Sequence, residues 1–249
     1  MSAKIALITG ANRGLGLEAA RQLLQKGVKV ILTSRDPVKG EAAVRSLQHE
    51  YPHATFLPLD ISQPKQIQAL FEKIHHLYGH LDILINNAAI THASPARLPA
   101  QRMANTILQA DIEELKAVFD TNVWGTLLLT QTMLPLLLKS NAGRIINLSS
   151  ELGSIQLQAD PASPIYHVKK FGYNSSKTMV NLLTVYLQEA LRATTVSAYT
   201  VSPGWVKTTM GTADALLEIP EGARIIVQAA LEEVPTLQFF THQWQTIPW

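Results

Sequence analysis

Short runs of branched apolar residues alternate along this chain with longer stretches in which apolar positions recur every three or four residues. The run 5–9 (IALIT) gives way to a helical period over 14–26, and 28–33 gives way to 37–51, where Asp36 is placed to cap a helix that Pro37 opens. The alternation repeats through 55–59 and 63–78, the second stopped by Gly79, and then through 82–85 and 112–139. It continues with 144–148 and 173–192, then 196–201 and 221–231, and ends on the strand-like run 237–240. Strands that are apolar at every position are covered on both faces, and a helix between successive strands leaves them parallel. The pattern predicts an α/β fold: a doubly wound parallel sheet of about seven strands with helices on both faces. No linker or charge block interrupts it, so residues 1–249 read as a single domain.

Two segments, 90–110 and 151–171, follow neither period, and each comes directly after a strand. Loops beyond about 12–15 residues are usually functional or disordered, and both would lie at the carboxyl edge of the sheet, where open α/β folds bind ligands. They are read as walls of a substrate pocket, with 204–220 as a candidate lid.

Composition narrows the function classes. With 47% apolar and 16% charged residues, and glycine and proline spread along the chain, disordered, collagen-like and coiled-coil classes are excluded. A net charge of +2 gives no reason to expect a nucleic-acid or anionic-membrane partner. The absence of cysteine removes disulfides, thiolate metal sites and cysteine nucleophiles together. The apolar run 5–8 is too short for a signal-peptide core, and the longest apolar stretch, 127–138, is interrupted and shorter than the roughly 20 residues of a membrane span. A soluble, cytoplasmic protein is expected.

The first strand runs into Gly10-Ala11-Asn12-Arg13-Gly14-Leu15-Gly16 and then a helix, whose free backbone N–H groups and positive dipole end suit a pyrophosphate. Gly10 would make the tight turn, Gly14 would let the backbone approach the phosphates, and Gly16 would let helix and strand pack closely. Placed here, the turn makes the fold a Rossmann fold, although the GxxxGxG spacing differs from GxGxxG and, alone, also suits a plain strand-to-helix turn. The second strand ends Thr33-Ser34-Arg35-Asp36. An acidic residue there would hold a 2′-hydroxyl, whereas Arg35 and Arg13 suit a 2′-phosphate, and Asp36 has a competing role as helix cap. NADP(H) is therefore expected over NAD(H).

Tyr173 and Lys177 stand four apart on a helix, so phenol and ammonium share a face. An ammonium about 5 Å away, at an effective dielectric of about 20, favours the phenolate by about 3 kcal/mol, which would lower the phenol pKa by about two units. Ser149 and Ser150 end the fifth strand at the same edge of the sheet, where a hydroxyl can bond a polarised carbonyl oxygen.

Together, Thr9 to Gly16 (TGANRGLG), Asp60, Asn86-Asn87-Ala88-Ala89, Asn122, Ser150, Tyr173 with Lys177, and Pro203-Gly204-Trp205-Val206-Lys207-Thr208 resemble the short-chain dehydrogenase/reductase family over nearly the whole chain. The Asn12-Arg13 pair and Ser34-Arg35 resemble its NADPH-dependent carbonyl reductases in particular. The resemblance implies a catalytic tetrad of Asn122, Ser150, Tyr173 and Lys177. In it Ser150 orients the carbonyl and Tyr173 donates the proton. Lys177 holds the nicotinamide ribose and tunes the phenol, and Asn122 supports a water relay to Lys177. Ser150 is chosen over Ser149 because the family's serine lies three residues before a glycine, here Gly153. The same resemblance implies that Asp60 and Ile61 flank the adenine, that Asn87, Ala88 and Ala89 lie on the adenosine-ribose side, and that Pro203, Gly204, Val206 and Thr208 meet the nicotinamide, with hydride leaving the pro-S face. Residue 89 is Ala where the family usually has Gly, and Tyr173 stands 23 positions after Ser150, about ten more than in many relatives, so the pocket is this chain's own.

The expected activity is reduction of a ketone or aldehyde by NADPH. An NAD-linked alcohol or steroid dehydrogenase, or a non-catalytic dinucleotide-binding sensor or scaffold, are the alternatives; a sugar-nucleotide epimerase is disfavoured because position 13 is Arg rather than Gly. No metal is expected: no Glu or Asp completes a zinc set beside His75, His76 and His80, which read as a solvated helix end. The aromatic tail, Phe239, Phe240, Trp244 and Trp249, fits a last core strand with an anchor, a subunit contact or a pocket rim alike. The helices around 123–138 and 179–187 are apolar on more than one face, and the family resemblance implies that they bundle in a homodimer or homotetramer.

Overall fold

The computed structural model describes residues 3–92, 107–233, 235 and 237–249. The strands are β1 (Ile5–Ile8), β2 (Lys29–Ser34), β3 (Ala54–Pro58), β4 (Ile83–Asn86), β5 (Gly143–Leu148), β6 (Val196–Val201), β7 (Phe239–Phe240) and β8 (Thr246–Ile247). They form one sheet in the order β3-β2-β1-β4-β5-β6-β7-β8, parallel except for the last pair. The chain winds outward from β1 to β3, then returns to pair β4 with β1, so the winding direction switches between β1 and β4. At such a switch the loops after the two strands diverge and leave a crevice at the carboxyl edge.

The helices are α1 (Gly14–Gln25), α2 (Pro37–Gln48), α3 (Pro64–Tyr78), α4 (Ile112–Phe119), α5 (Thr126–Leu137), α6 (Ile155–Ala159), α7 (Phe171–Ala190) and α8 (Ile219–Leu231). Successive strand residues face opposite layers, which is why the strands are apolar throughout. Ile8, Ile85 and Ile146 pack with Leu23 and Ile226 on one side, while Leu7, Leu84 and Ile145 pack with Ile67, Ile74 and Met133 on the other. Each such side chain contributes about 1.5–3 kcal/mol by leaving water.

Four expectations are corrected. The sheet has eight strands rather than about seven, because β8 is a two-residue antiparallel addition to β7, too short to carry a period. The last parallel strand begins at Phe239, not at residue 237, since Leu237 has a left-handed φ of 59° that no strand admits. The long helix expected over 112–139 ends at Leu137 and is interrupted by a π-helical turn, Asp120–Gly125. The segment 151–171 is not all loop either, since it holds the 3-10 turn Glu151–Gly153 and α6. Of the segment 90–110, residues 93–106 lie outside the described residues.

The π turn brings Gly125 against the Asp60-Ile61 turn, where an added Cβ would lie 2.5 Å from the Ile61 carbonyl oxygen. Alanine would gain about 1 kcal/mol of helix propensity over glycine, but here it must push two backbones apart. Gly125→Ala is therefore expected to lose about 1–3 kcal/mol of stability in urea unfolding; an unchanged or raised midpoint contradicts the close contact.

Candidate active site

The glycine turn is built from two left-handed residues, Gly10 (φ 63°) and Gly14 (φ 58°). Gly16 is needed for a different reason: its Cβ would lie 2.6 Å from Asn87 Nδ2 and 2.8 Å from the Gly10 carbonyl oxygen. Asn87 braces this turn by donating from Nδ2 to the carbonyls of Thr9 (2.7 Å) and Gly10 (3.1 Å). Thr9 Oγ1 accepts from the backbone N–H groups of Asn87 (3.0 Å) and Ala88 (2.9 Å). The N-terminus of α1 has no side-chain cap and no acidic residue in its first turn, so its N–H groups remain available to an anion. Thr208 lies beside this cradle, its methyl 3.6 Å from where a Gly14 Cβ would be, and Gly222 of α8 brings Val206, Leu15 and the Pro203 carbonyl together. The chemistry of this surface fits a pyrophosphate.

At the end of β2 the Ser34 hydroxyl is turned inward, donating to the Asp36 carbonyl at 2.7 Å. Asp36 caps α2, accepting from the Lys39 N–H at 3.1 Å, and pairs with Lys39 Nζ at 3.0 Å. The Lys39 backbone bond, then its side chain, hold the Asp36 carboxyl below the usual range. Arg13 and Arg35 are both exposed at this end of the turn. Asp60 accepts from Ser62 N (3.0 Å) and Oγ (2.7 Å), which shapes its turn, and Ile61 is buried.

Ser150, Tyr173 and Lys177 meet at the carboxyl end of β5. The Tyr173 hydroxyl is faced by the Ser150 side chain, which acts to lower the phenol pKa. Lys177 is 4% exposed, its Nζ donating to the Leu148 carbonyl at 2.7 Å and standing 5.6 Å from the centre of the Tyr173 ring. Ser149 is spent elsewhere, donating to the Lys177 carbonyl at 3.3 Å. The expectation of an acidified phenol is corrected: burial pushes Tyr173 up to about 12, Ser150 working the other way and losing. Burial likewise pulls Lys177 down to about 8. Coulomb attraction between separated charges leaves out the desolvation of a half-buried phenol, and desolvation is the larger effect here.

Asn122 reaches the same helix at Ser176, not at Lys177, its Nδ2 donating to Ser176 Oγ at 3.0 Å. It also pairs twice with Ile90, accepting from the N–H and donating to the carbonyl, both at 2.8 Å. Residues to which the sequence alone assigned no role fill the space beneath. Asn86 Nδ2 donates to Asn147 Oδ1 (2.7 Å) and Thr130 Oγ1 (3.0 Å), and Asn147 Nδ2 to Thr184 Oγ1 (2.9 Å). The signal was available: an asparagine inside an otherwise apolar buried strand must be bonded. His80, read as solvated, instead sets Nε2 3.4 Å from Asp82.

The chain matches the family model described as short chain dehydrogenase over residues 4–216. It is 35% identical to the short-chain dehydrogenase anuI of Penicillium roqueforti, over 93% of this chain and 90% of that one. It is 31% identical to (+)-neomenthol dehydrogenase of Arabidopsis thaliana, over 96% of each. Among solved structures, NADPH-bound carbonyl reductase from chicken fatty liver aligns over 100% of both chains, with a TM-score of 0.84 and 30% identity. Salutaridine reductase from Papaver somniferum aligns with a TM-score of 0.77 and 25% identity, over 92% of this chain and 96% of its own.

The depressed lysine has a signed consequence for stability. Between about 8 and the ordinary 10.5, the unfolded chain binds the Lys177 proton and the native chain does not, so stability rises with pH through this window. Tyr173, raised from 10.0 to about 12, acts oppositely only above pH 10. Urea unfolding of wild type against Lys177→Met should show wild type gaining, relative to the variant, on the order of 3 kcal/mol from pH 7.5 to 10.5. A difference independent of pH contradicts the buried charge.

Proposed function

Because the chain belongs to the short-chain dehydrogenase family, we propose that it reduces a ketone or aldehyde to the alcohol with NADPH, Tyr173 supplying the proton. The observation that carries this reading is the Tyr173 phenol beside Ser150, with the buried Lys177 ammonium 5.6 Å from the centre of its ring. NADPH, when bound, supplies hydride to the carbonyl carbon. The residues present fit it: the uncapped N-terminus of α1 would hold the pyrophosphate, and Arg13 and Arg35 the 2′-phosphate. Asp36, occupied as the cap of α2, is not presented as an acid for a ribose hydroxyl, which favours NADP(H) over NAD(H).

Ser150 and Tyr173 hydroxyls together grip the substrate oxygen. As charge develops there, the Tyr173 proton moves to it, and the phenolate left behind faces Lys177. The Lys177 ammonium, 5.6 Å from the centre of the ring, stabilises that phenolate by Coulomb attraction. The benefit arises only once the tyrosine has given up its proton, which favours the transition state over the resting state. The segments 151–171 and 204–220 would wall the substrate, the second closed on itself by the Val206–Leu217 bridge and the Lys207–Glu218 ion pair. Asn122 acts on this reading through Ile90 and Ser176, holding the loop after β4 to the tyrosine helix.

Among the described residues no helix is long and apolar enough to cross a membrane, and this reading takes the enzyme as cytoplasmic. Trp124, Leu182 and Tyr186 are 50%, 47% and 69% exposed on the π turn and α7, which supports pairing of subunits through these helices.

Tyr173→Phe should lower kcat by about 10²–10⁴-fold in nicotinamide absorbance assays, with the NADPH Kd nearly unchanged; turnover within tenfold of wild type rejects the assignment. Arg35→Asp should move the ratio of kcat/KM for NADPH over NADH toward NADH by about one to two decades. An unmoved ratio favours the NAD-linked reading.

A further inference from the structure

The strand that carries Ser150 ends before it, at Leu148, so something else must hold the serine against the tyrosine. Ser150 opens the turn Glu151–Gly153: its Oγ accepts from the Leu152 N–H at 3.2 Å and its carbonyl from the Gly153 N–H at 2.8 Å. The turn is a compact unit, and it is anchored at its far end. Gly153 rests on the backbone of Lys177, where a Cβ would lie 2.8 Å from the carbonyl carbon. The Gly153 carbonyl accepts from Thr178 Oγ1 at 2.9 Å and from Asn181 Nδ2 at 3.3 Å. Asn181 is buried, and its Oδ1 accepts from Thr200 of β6 at 3.3 Å. One amide thus ties the sheet, the tyrosine helix and the serine turn. Thr178 has one hydroxyl proton and a second acceptor, the Asn174 carbonyl, at the longer distance of 3.1 Å.

We propose that Thr178 and Asn181 are positioning residues that set the separation of the Ser150 and Tyr173 hydroxyls by anchoring the Gly153 carbonyl to the tyrosine helix. The inference rests on the reductase reading, in which both hydroxyls must reach one substrate oxygen. Without the two donors, the Gly153 carbonyl is left buried and unbonded beside Lys177, and the turn gains by moving toward water. A displacement of that kind reaches Ser150 through three residues of rigid turn, and hydroxyls misplaced by about 1 Å lose rate rather than cofactor affinity. The arrangement also explains why a glycine stands three residues after the serine: any side chain there would separate the turn from the helix.

The test compares wild type, Thr178→Val, Thr178→Ser, and the double variant Thr178→Val with Asn181→Leu. Steady-state kinetics with NADPH and a carbonyl panel are read beside the NADPH Kd, the thermal midpoint and crystal structures. The double variant is expected to lose about 10–100-fold in kcat with the NADPH Kd within about twofold of wild type. Thr178→Ser, which keeps the hydroxyl, is expected to match wild type within about twofold. The crystal structures should show the Ser150 Oγ to Tyr173 Oη separation widened by more than about 0.5 Å in the double variant. A folded double variant with wild-type kcat, or a Thr178→Ser variant as impaired as Thr178→Val, overturns the proposal. So does an unchanged separation, which decides the matter even if wild type reduces no carbonyl and the reductase reading itself fails.

Discussion

A half-buried phenol and a buried ammonium beside it at the carboxyl edge of a parallel sheet form the interaction on which the rest of this site depends. Burial penalises the charged form of each, so the resting state holds Tyr173 firmly neutral and leaves Lys177 with a depressed pKa. On the reading proposed here, the two costs serve a reaction that begins with a proton on the phenol and ends with a negative charge there, facing a cation whose hydrogen bond to the Leu148 carbonyl keeps it in place. Neither group is tuned by the other alone. Their common surroundings favour the neutral form of each.

Close backbone approach is what builds those surroundings. Gly16 lets α1 rest on the glycine turn, Gly125 lets the π turn rest on Ile61, and Gly153 lets the serine turn rest on Lys177. At each place the excluded Cβ would meet backbone atoms within about 3 Å, which an interior packed at crystal-like density cannot absorb without moving an element. Beneath these contacts the buried amides and hydroxyls of Asn86, Thr130, Asn147 and Thr184 bond one another across the sheet and into α7. Polar groups in that position are costly unless paired, and once paired they hold the strands and the tyrosine helix in one relative position.

The parallel core was legible in the sequence because its signal is collective. Continuous apolar strands and helical periods, repeated several times, specify a two-faced sheet whatever the details of any one element. Short or locally determined features were not: β8 has two residues, α6 has five, and the left-handed Leu237 ends a run that composition alone would extend. Residue types at the site were legible too: Tyr173 and Lys177 share a helix face as their spacing suggested, and Ser150, chosen on the family resemblance, lies by the phenol. The direction of the Tyr173 shift was not, because a sequence supplies a distance between charges but not the water removed around them. Asn87, Ser34 and Asp60 were read toward a ligand, whereas their side chains brace the turns that would meet it. Thr178 and Asn181 carry no motif at all and become visible only when the Gly153 carbonyl is followed to its donors.

The neutral phenol can be observed directly. In cofactor-free protein labelled with 13C at tyrosine Cζ, the Tyr173 resonance is assigned by its loss in Tyr173→Phe and followed with pH. Held near 12, it should stay at the neutral-phenol position through pH 10 while exposed tyrosines titrate. A midpoint below about 9 would mean that the lysine, not burial, governs the phenol, contrary to the account given above.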